Sequence, residues 1–298
     1  MPEMRIDLHI HSKDCSDGRL SISEIIRIAC KRQVRLLSIT DHDSIECQES
    51  IEALSISNSI RYITGVELNI TFSDRRCLDG KPISLDVLGY GYDYSNKALL
   101  EKVHALRAHR RRRAELILEK INEVFKREGR PLFTQLDLKS IEAMADGAFG
   151  RPHIADYMIK KGIVANRKDA FERYLVECDV PKLPLSLEEA SSLIRGAGGR
   201  LVLAHPNDPN GTSLAVICPS LSEQHALIKG RMISFLDGVE CWHPRHDRET
   251  TAAYLSFSSS QGIIATGGSD CHQQPVILGT MDIPSYVAAQ LGVDLKGV

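Results

Sequence analysis

An α/β chain, closing or nearly closing into a barrel, is what this sequence predicts, on three observations. Strand-like and helix-like runs alternate along most of its 298 residues. The polar clusters follow the carboxyl ends of the strand-like runs. One long stretch, residues 99–182, abandons the alternation for helix-forming sequence. Repeated strand-helix units favour a parallel sheet, because a parallel return needs the crossover that a helix supplies. A chain of this length buries a sizeable core, either as one large α/β domain or as a barrel with an insertion.

Taken in order, residues 4–10 read as a strand, in which alternation puts His9 and His11 on one side and Leu8 and Ile10 on the other. Ser21 caps a helix whose apolar stripe is Ile22, Ile25, Ile26 and Ala29, and Glu24 completes a capping box. Residues 34–40 form the next strand, 44–54 a second helix, 60–70 a third strand carrying Glu67, and 83–90 a fourth. The rhythm returns with a helix over 187–195 and a strand over 200–204 that ends in His205-Pro206. A helix around 222–228, a strand over 238–242 and a helix over 249–260 follow. The strand over 263–266 then runs into Gly267-Gly268-Ser269-Asp270. Beyond Ile283 the chain is either a barrel-closing helix or a loose tail.

Residues 99–182 read as an inserted helical subdomain over the barrel mouth, joined back through Pro181-Lys182-Leu183-Pro184. The barrel would then comprise residues 1–98 and 183–298. The first inserted helix carries His109-Arg110-Arg111-Arg112-Arg113, and its apolar stripe of Leu99, Val103, Leu106, Ile117, Ile121 and Val124 takes in Arg110 and Arg113. A guanidinium on an inward face is costly unless an anion offsets its desolvation, which suggests a phosphate clamp. The alternative is that both arginines snorkel to the helix flank.

Composition narrows the function classes. A formal net charge of -2 provides no global basic field to recruit nucleic acid, so contact with a polyanion needs a local patch. The eight cysteines are scattered with no Cys-x-x-Cys, which argues against a zinc ribbon. With no signal sequence and no apolar run near the roughly 20 residues of a membrane span, the expectation is a reduced, cytoplasmic protein with no membrane contact. No protein partner is inferable.

Three clusters carry the chemistry: Asp7-Leu8-His9-Ile10-His11 with Asp17-Gly18, Thr40-Asp41-His42-Asp43, and Gly268-Ser269-Asp270-Cys271-His272. Histidines and carboxylates converging from several strand ends are how a barrel builds a metal centre. By alternation Cys271 faces away from the ligands and packs. His243 and His246 either line a substrate cleft or sit in a surface loop, and Trp242 is open to base stacking or core packing. His104, His109 and His225 lie on helix patterns and read as solvent-facing.

The set Asp7-x-His9-x-His11, Asp17-Gly18, Thr40-Asp41-His42-Asp43, Gly65-Val66-Glu67, Ala204-His205-Pro206 and Gly268-Ser269-Asp270-x-His272 resembles the PHP superfamily of metal phosphoesterases, across essentially the whole chain. Gly150-Arg151-Pro152-His153-Ile154-Ala155, with Ala170-Phe171 and Tyr174-Leu175, is similar to the branch of bacterial nucleotide phosphoesterases and 5′-to-3′ RNA-trimming enzymes. The resemblance implies a distorted (βα)7 barrel holding two or three divalent ions. One ion would be held by His9, His11, Glu67 and Asp270, a second by Glu67 and His205, and a third by Asp17, His42 and His272. These donors, without a thiolate, suit manganese, iron or zinc.

In the family pattern a histidine usually stands where this chain has Asp86. Asp86 either ligates through oxygen, favouring manganese, or leaves the second site weak or empty. The implied catalytic group is a metal-bridging hydroxide held by Glu67, His205 and Asp270, with Arg110, Arg113, Arg151 and His153 neutralising substrate phosphate. The expected substrate is a nucleotide, such as a 3′,5′-bisphosphate, or the 5′ end of a short RNA. A histidinol-phosphatase-like enzyme and a degenerate domain that binds ligand or RNA without hydrolysis are the alternatives.

Overall fold

Short apolar strands that deliver polar residues just past their carboxyl ends organise the chain; the computed structural model describes residues 5–74, 82–145, 150–209, 212–272 and 275–295. Strand β1 (Arg5–Asp7) pairs parallel with β2 (Val34–Leu37), and α1 (Ile22–Lys31) makes the crossover. The Ser21 hydroxyl accepts from the Glu24 N–H while the Glu24 carboxylate accepts from the Ser21 N–H, and Ile22, Ile25, Ile26 and Ala29 are buried. Helix α2 (Gln48–Ser57) leads to β3 (Arg61–Tyr62), parallel to β2. The single strand expected over 60–70 is interrupted at Ile63 and Thr64. There β3 ends the three-stranded sheet, and β4 (Gly65–Phe72) opens a five-stranded one.

Strand β5 (Ile83–Tyr90) runs antiparallel to β4, with Gly65 opposite Tyr90 and Phe72 opposite Ile83. The parallel sheet expected from the sequence is corrected at this point, because β5 is antiparallel to its neighbours. Among the described residues no helix lies between β4 and β5, and without a crossover the chain returns antiparallel. Helices α3 (Lys97–Glu128), α4 (Gln135–Ala145), α5 (Arg151–Lys160) and α6 (Arg167–Ala170) follow, α6 continuing into a π-helical turn. Helix α7 (Leu187–Gly196) precedes β6 (Arg200–Leu203), which is antiparallel to β5. Helix α8 (Leu221–Leu227) then leads to β7 (Gly238–Trp242), and α9 (Arg248–Gln261) to β8 (Ile264–Gly267); β6, β7 and β8 pair in parallel. The architecture is therefore mixed α/β, with parallel crossovers at both ends of the chain.

The chain divides into two compact units, Met1–Glu101 with Pro184–Val298, and Lys102–Leu183. In the first, one core cluster gathers α1, β2 and Cys271, and another gathers Ile6, Leu8, Leu88, Tyr90 and Val202. Helix α10 (Tyr286–Gln290) adds Val287 and Ala288 to the latter cluster, and the Gln290 side-chain carbonyl accepts from the Ala265 N–H of β8 at 3.0 Å. Within the segment beyond Ile283, residues 286–290 are thus a docked helix. Trp242 packs against that cluster, 6.2 Å from the Tyr286 ring. The second unit has its own core, built on Ile117, Ile121, Phe125, Ile154, Met158 and Tyr174. No helix among the described residues is long and apolar enough to cross a membrane.

Cys15 and Cys47 form a disulfide, where the sequence pointed to reduced thiols throughout. The two cysteines are 32 residues apart. Their proximity comes from the pairing of β1 with β2, which places the loops after both strands side by side. Cys77, another of the eight, lies outside the described residues. Replacing both Cys15 and Cys47 by alanine should cost about 3–4 kcal/mol by loop-closure entropy. Urea denaturation of the oxidised protein against the double variant measures this, and equal midpoints would show that the pair does not constrain the unfolded chain.

Candidate metal centre

The site is assembled where the two sheets approach each other through a few backbone hydrogen bonds. Leu8 and His11 donate N–H to Gly267 and Cys271 carbonyls, and Asp270 donates to the His9 carbonyl at 2.7 Å. On the other side Asp43 donates to the Glu67 carbonyl and Glu67 to that of Asp41. Two glycines permit the close approach. A Cβ on Gly268 would lie 2.3 Å from the backbone N and Cβ of His9, and one on Gly18 would lie 2.0 Å from the His11 carbonyl oxygen. Asp7 and Asp41 serve this frame. The Asp7 carboxylate accepts from the Ser269 and Gly279 N–H groups, and that of Asp41 accepts from both the N–H and the hydroxyl of Ser12.

Alternation along the first strand then sends His9 and His11 toward one carboxylate. Glu67, 1% exposed, receives four imidazoles: Oε2 lies 3.4 Å from His9 Nε2, 3.1 Å from His11 Nε2 and 3.2 Å from His42 Nδ1, while Oε1 lies 3.2 Å from His205 Nε2. Asp270 Oδ1 faces His9, His11 and His272 at 3.2–3.4 Å, and Asp17 Oδ1 lies 3.3 Å from His272 Nε2. Burial would raise the Glu67 and Asp270 carboxyls, but the surrounding imidazoles outweigh it and hold both well below the usual carboxylate range. His205 and Asp270 sit at φ 23° and 48°, a region uncommon for side chains with a Cβ and frequent at functional sites.

Nine residues singled out from the sequence come together in the first unit as three groups. One is His11, Asp17, His42 and His272; another is His9, His11 and Asp270; the last is Glu67, Asp86 and His205. Within each group one donor atom per residue lies within 4.8 Å of the others. Asp86 is on β5 opposite Asn69, whose amide donates to its Oδ1 at 2.7 Å, and its Oδ2 lies 4.0 Å from His205 Nε2. His9 Nε2, both ring nitrogens of His11, Glu67 Oε2 and His205 Nδ1 are buried without a hydrogen-bond partner among the described residues. Buried ring nitrogens left without a partner, with carboxylates between the rings, fit divalent cations.

Arg110, Arg113, Arg151 and His153 all lie in the second unit. Arg113 does face inward, but its charge is answered from within the chain. Its Nε and Nη2 donate to the Val180 carbonyl and the Asp179 carboxylate, and Arg151 takes the other Asp179 oxygen at 2.7 Å. The Arg151 guanidinium also lies over the Phe171 ring. Arg110 is half-buried, and His153 Nδ1 accepts from the Gly150 N–H at the start of α5.

Some residues carry more, and some less, than the sequence suggested. Glu240 is fully buried on β7, where Oε1 lies 3.0 Å from His9 Nδ1 and Oε2 accepts from the His205 N–H at 2.8 Å. A charge within an otherwise apolar strand was the signal available for it. His243 is buried with Nε2 3.3 Å from Asp270 Oδ2, and its Nδ1 accepts from the Arg245 N–H. His246 is no surface residue either: Nδ1 donates to the Cys241 carbonyl and Nε2 accepts from the Asn207 N–H, with desolvation pushing its pKa down to about 4. His225, expected in solvent, packs between Tyr254 and Phe257. Cys271 joins the core cluster, as alternation predicts.

A PHP domain model matches residues 7–274. The chain belongs to the PHP domain family. This PHP chain is similar to a 5′-3′ exoribonuclease of Haemophilus influenzae, with 29% identity over 278 residues and 90% of each chain covered. It is also similar to a 3′,5′-nucleoside bisphosphate phosphatase of Chromobacterium violaceum, at 26% identity over 90% of this chain and 87% of that one. Among solved structures, a candidate metal-dependent phosphoesterase from Bifidobacterium adolescentis superposes with a TM-score of 0.75 at 27% identity, covering 100% of this chain and 99% of the other.

Proposed function

We propose that this PHP chain is a divalent-metal-dependent phosphoesterase that hydrolyses a phosphate monoester of a nucleotide, such as a 3′,5′-bisphosphate, or removes nucleotides from the 5′ end of short RNA. The single feature that carries this reading is Glu67 amid four imidazoles, with donor groups on three sides. The relatives from Haemophilus and Chromobacterium, named for an RNA and a nucleotide activity, support the substrate class. The backbone bridges Ile10 to Cys271 and His42 to Glu67 support treating the two sheets as one distorted (βα)7-type barrel.

His9, His11 and Asp270 would hold one ion, Glu67, Asp86 and His205 a second, and Asp17, His42 and His272 a third beside His11. When bound, such ions polarise phosphoryl oxygens and acidify water. The oxygen of Asp86, oriented by Asn69, makes the second group harder than a histidine would and favours manganese. His243 donates to Asp270 Oδ2, which leaves Oδ1 for the ion side. Arg110, Arg113, Arg151 and His153 are the groups proposed to meet substrate phosphate. Arg113 and Arg151 share the Asp179 carboxylate, so either would meet a phosphate only by exchanging that ion pair.

With manganese, the purified protein should release phosphate from a nucleoside bisphosphate or trim a 5′-phosphorylated oligoribonucleotide, and His9→Ala should lower the rate at least a hundredfold. Metal-independent RNA binding without turnover would establish the non-catalytic alternative instead. Asp86→His should shift metal preference from manganese toward zinc, read by elemental analysis after loading with both ions. An unaltered ratio would remove Asp86 from the ligands. Arg110→Ala should raise KM for a bisphosphate several-fold more than for an aryl phosphate; equal changes would deny it a role at a second phosphate.

A further inference from the structure

We infer that Glu240 is a positioning residue that sets the tautomer of His9 and so decides whether the first group can bind its ion; this rests on the metal reading above. Both oxygens of Glu240 are committed: one meets His9 Nδ1 at 3.0 Å and the other accepts from the His205 backbone N–H at 2.8 Å. A carboxylate only accepts, so His9 carries a proton on Nδ1 toward Glu240. In the neutral ring that an ion requires, the single proton stays on Nδ1 and Nε2 offers its lone pair on the side where Glu67 Oε2 and Asp270 Oδ1 lie, 3.4 and 3.3 Å away. Outer carboxylates commonly orient ligating histidines in this way. The second oxygen extends the effect, because His205 is held at φ 23° and its anchored N–H fixes the backbone from which that ring reaches Glu67. One buried side chain on β7 therefore serves ligands from two groups.

The isosteric change Glu240→Gln separates positioning from packing. The His205 N–H requires the amide carbonyl, so the amide NH2 must face His9 Nδ1. Nδ1 then accepts, the ring proton moves to Nε2, and that proton finds Glu67 and Asp270 as acceptors. The metal-free fold stays satisfied while the first group loses its lone pair. Manganese titration of the metal-free protein, read by electron paramagnetic resonance of free Mn2+, should show one class of ion weakened roughly 10–100-fold in Glu240→Gln, with unchanged circular dichroism. In a His9→Ala background the same substitution should add little, since it acts through His9.

Equal manganese binding by wild type and Glu240→Gln overturns the inference while leaving the phosphoesterase reading intact, and fully additive effects with His9→Ala overturn it too. A wild type that binds no manganese overturns both. Should Glu240→Gln fail to fold, long-range 1H–15N spectra of the zinc-loaded wild type decide the matter. His9 protonated at Nδ1 and bound at Nε2 supports the inference, and the reverse assignment refutes it.

Discussion

One buried carboxylate surrounded by imidazoles is the constraint on which the rest of the first unit depends. Glu67 has almost no contact with water, and an ionised carboxylate so placed is tolerated only where positive charge or donors meet it on several sides. His9 and His11 arrive from beyond β1, His42 from beyond β2 and His205 from beyond β6. Those strands must end at one place and at one level, so the position of a single side chain dictates where both sheets stop.

Around that point the chain accepts backbone strain and braces it. His205 and Asp270 occupy the left-handed region, where Asn and glycine are the more usual tenants. Each is held by its own N–H, His205 on Glu240 and Asp270 on the His9 carbonyl. Asp7 and Asp41, although they stand in the same polar clusters as the histidines, spend their oxygens on backbone and hydroxyl donors of the neighbouring loops. The clusters thus divide the labour between residues that face the centre and residues that fix the loops carrying them.

Much of this was legible before the structure. Strand alternation paired His9 with His11 and turned Cys271 away, and the Ser21 and Glu24 capping box fixed the start of α1. What stayed hidden depended on tertiary pairing. The antiparallel β5 could not be read because its strand pattern carries no direction. The Cys15–Cys47 pair joins residues 32 apart with no motif between them. Arg113 was correctly placed on an inward face, but its anion proved to be Asp179, some 66 residues downstream. Glu240 is not identifiable from the sequence, because a lone acid in an apolar strand does not reveal which ring it will meet.

The docking of α10 has a consequence beyond core burial. Strand β8 is the last in its sheet, and although Leu8 meets its far end at the Gly267 carbonyl, backbone groups left over on that side can pair with any other strand that approaches. Here the Ala265 N–H is taken by the amide carbonyl of Gln290, while Val287 and Ala288 cover the apolar surface beside it. A five-residue helix with one well-aimed side chain thereby does the work of a further strand, withholding from a second copy of the chain an amide it could otherwise use to extend the sheet.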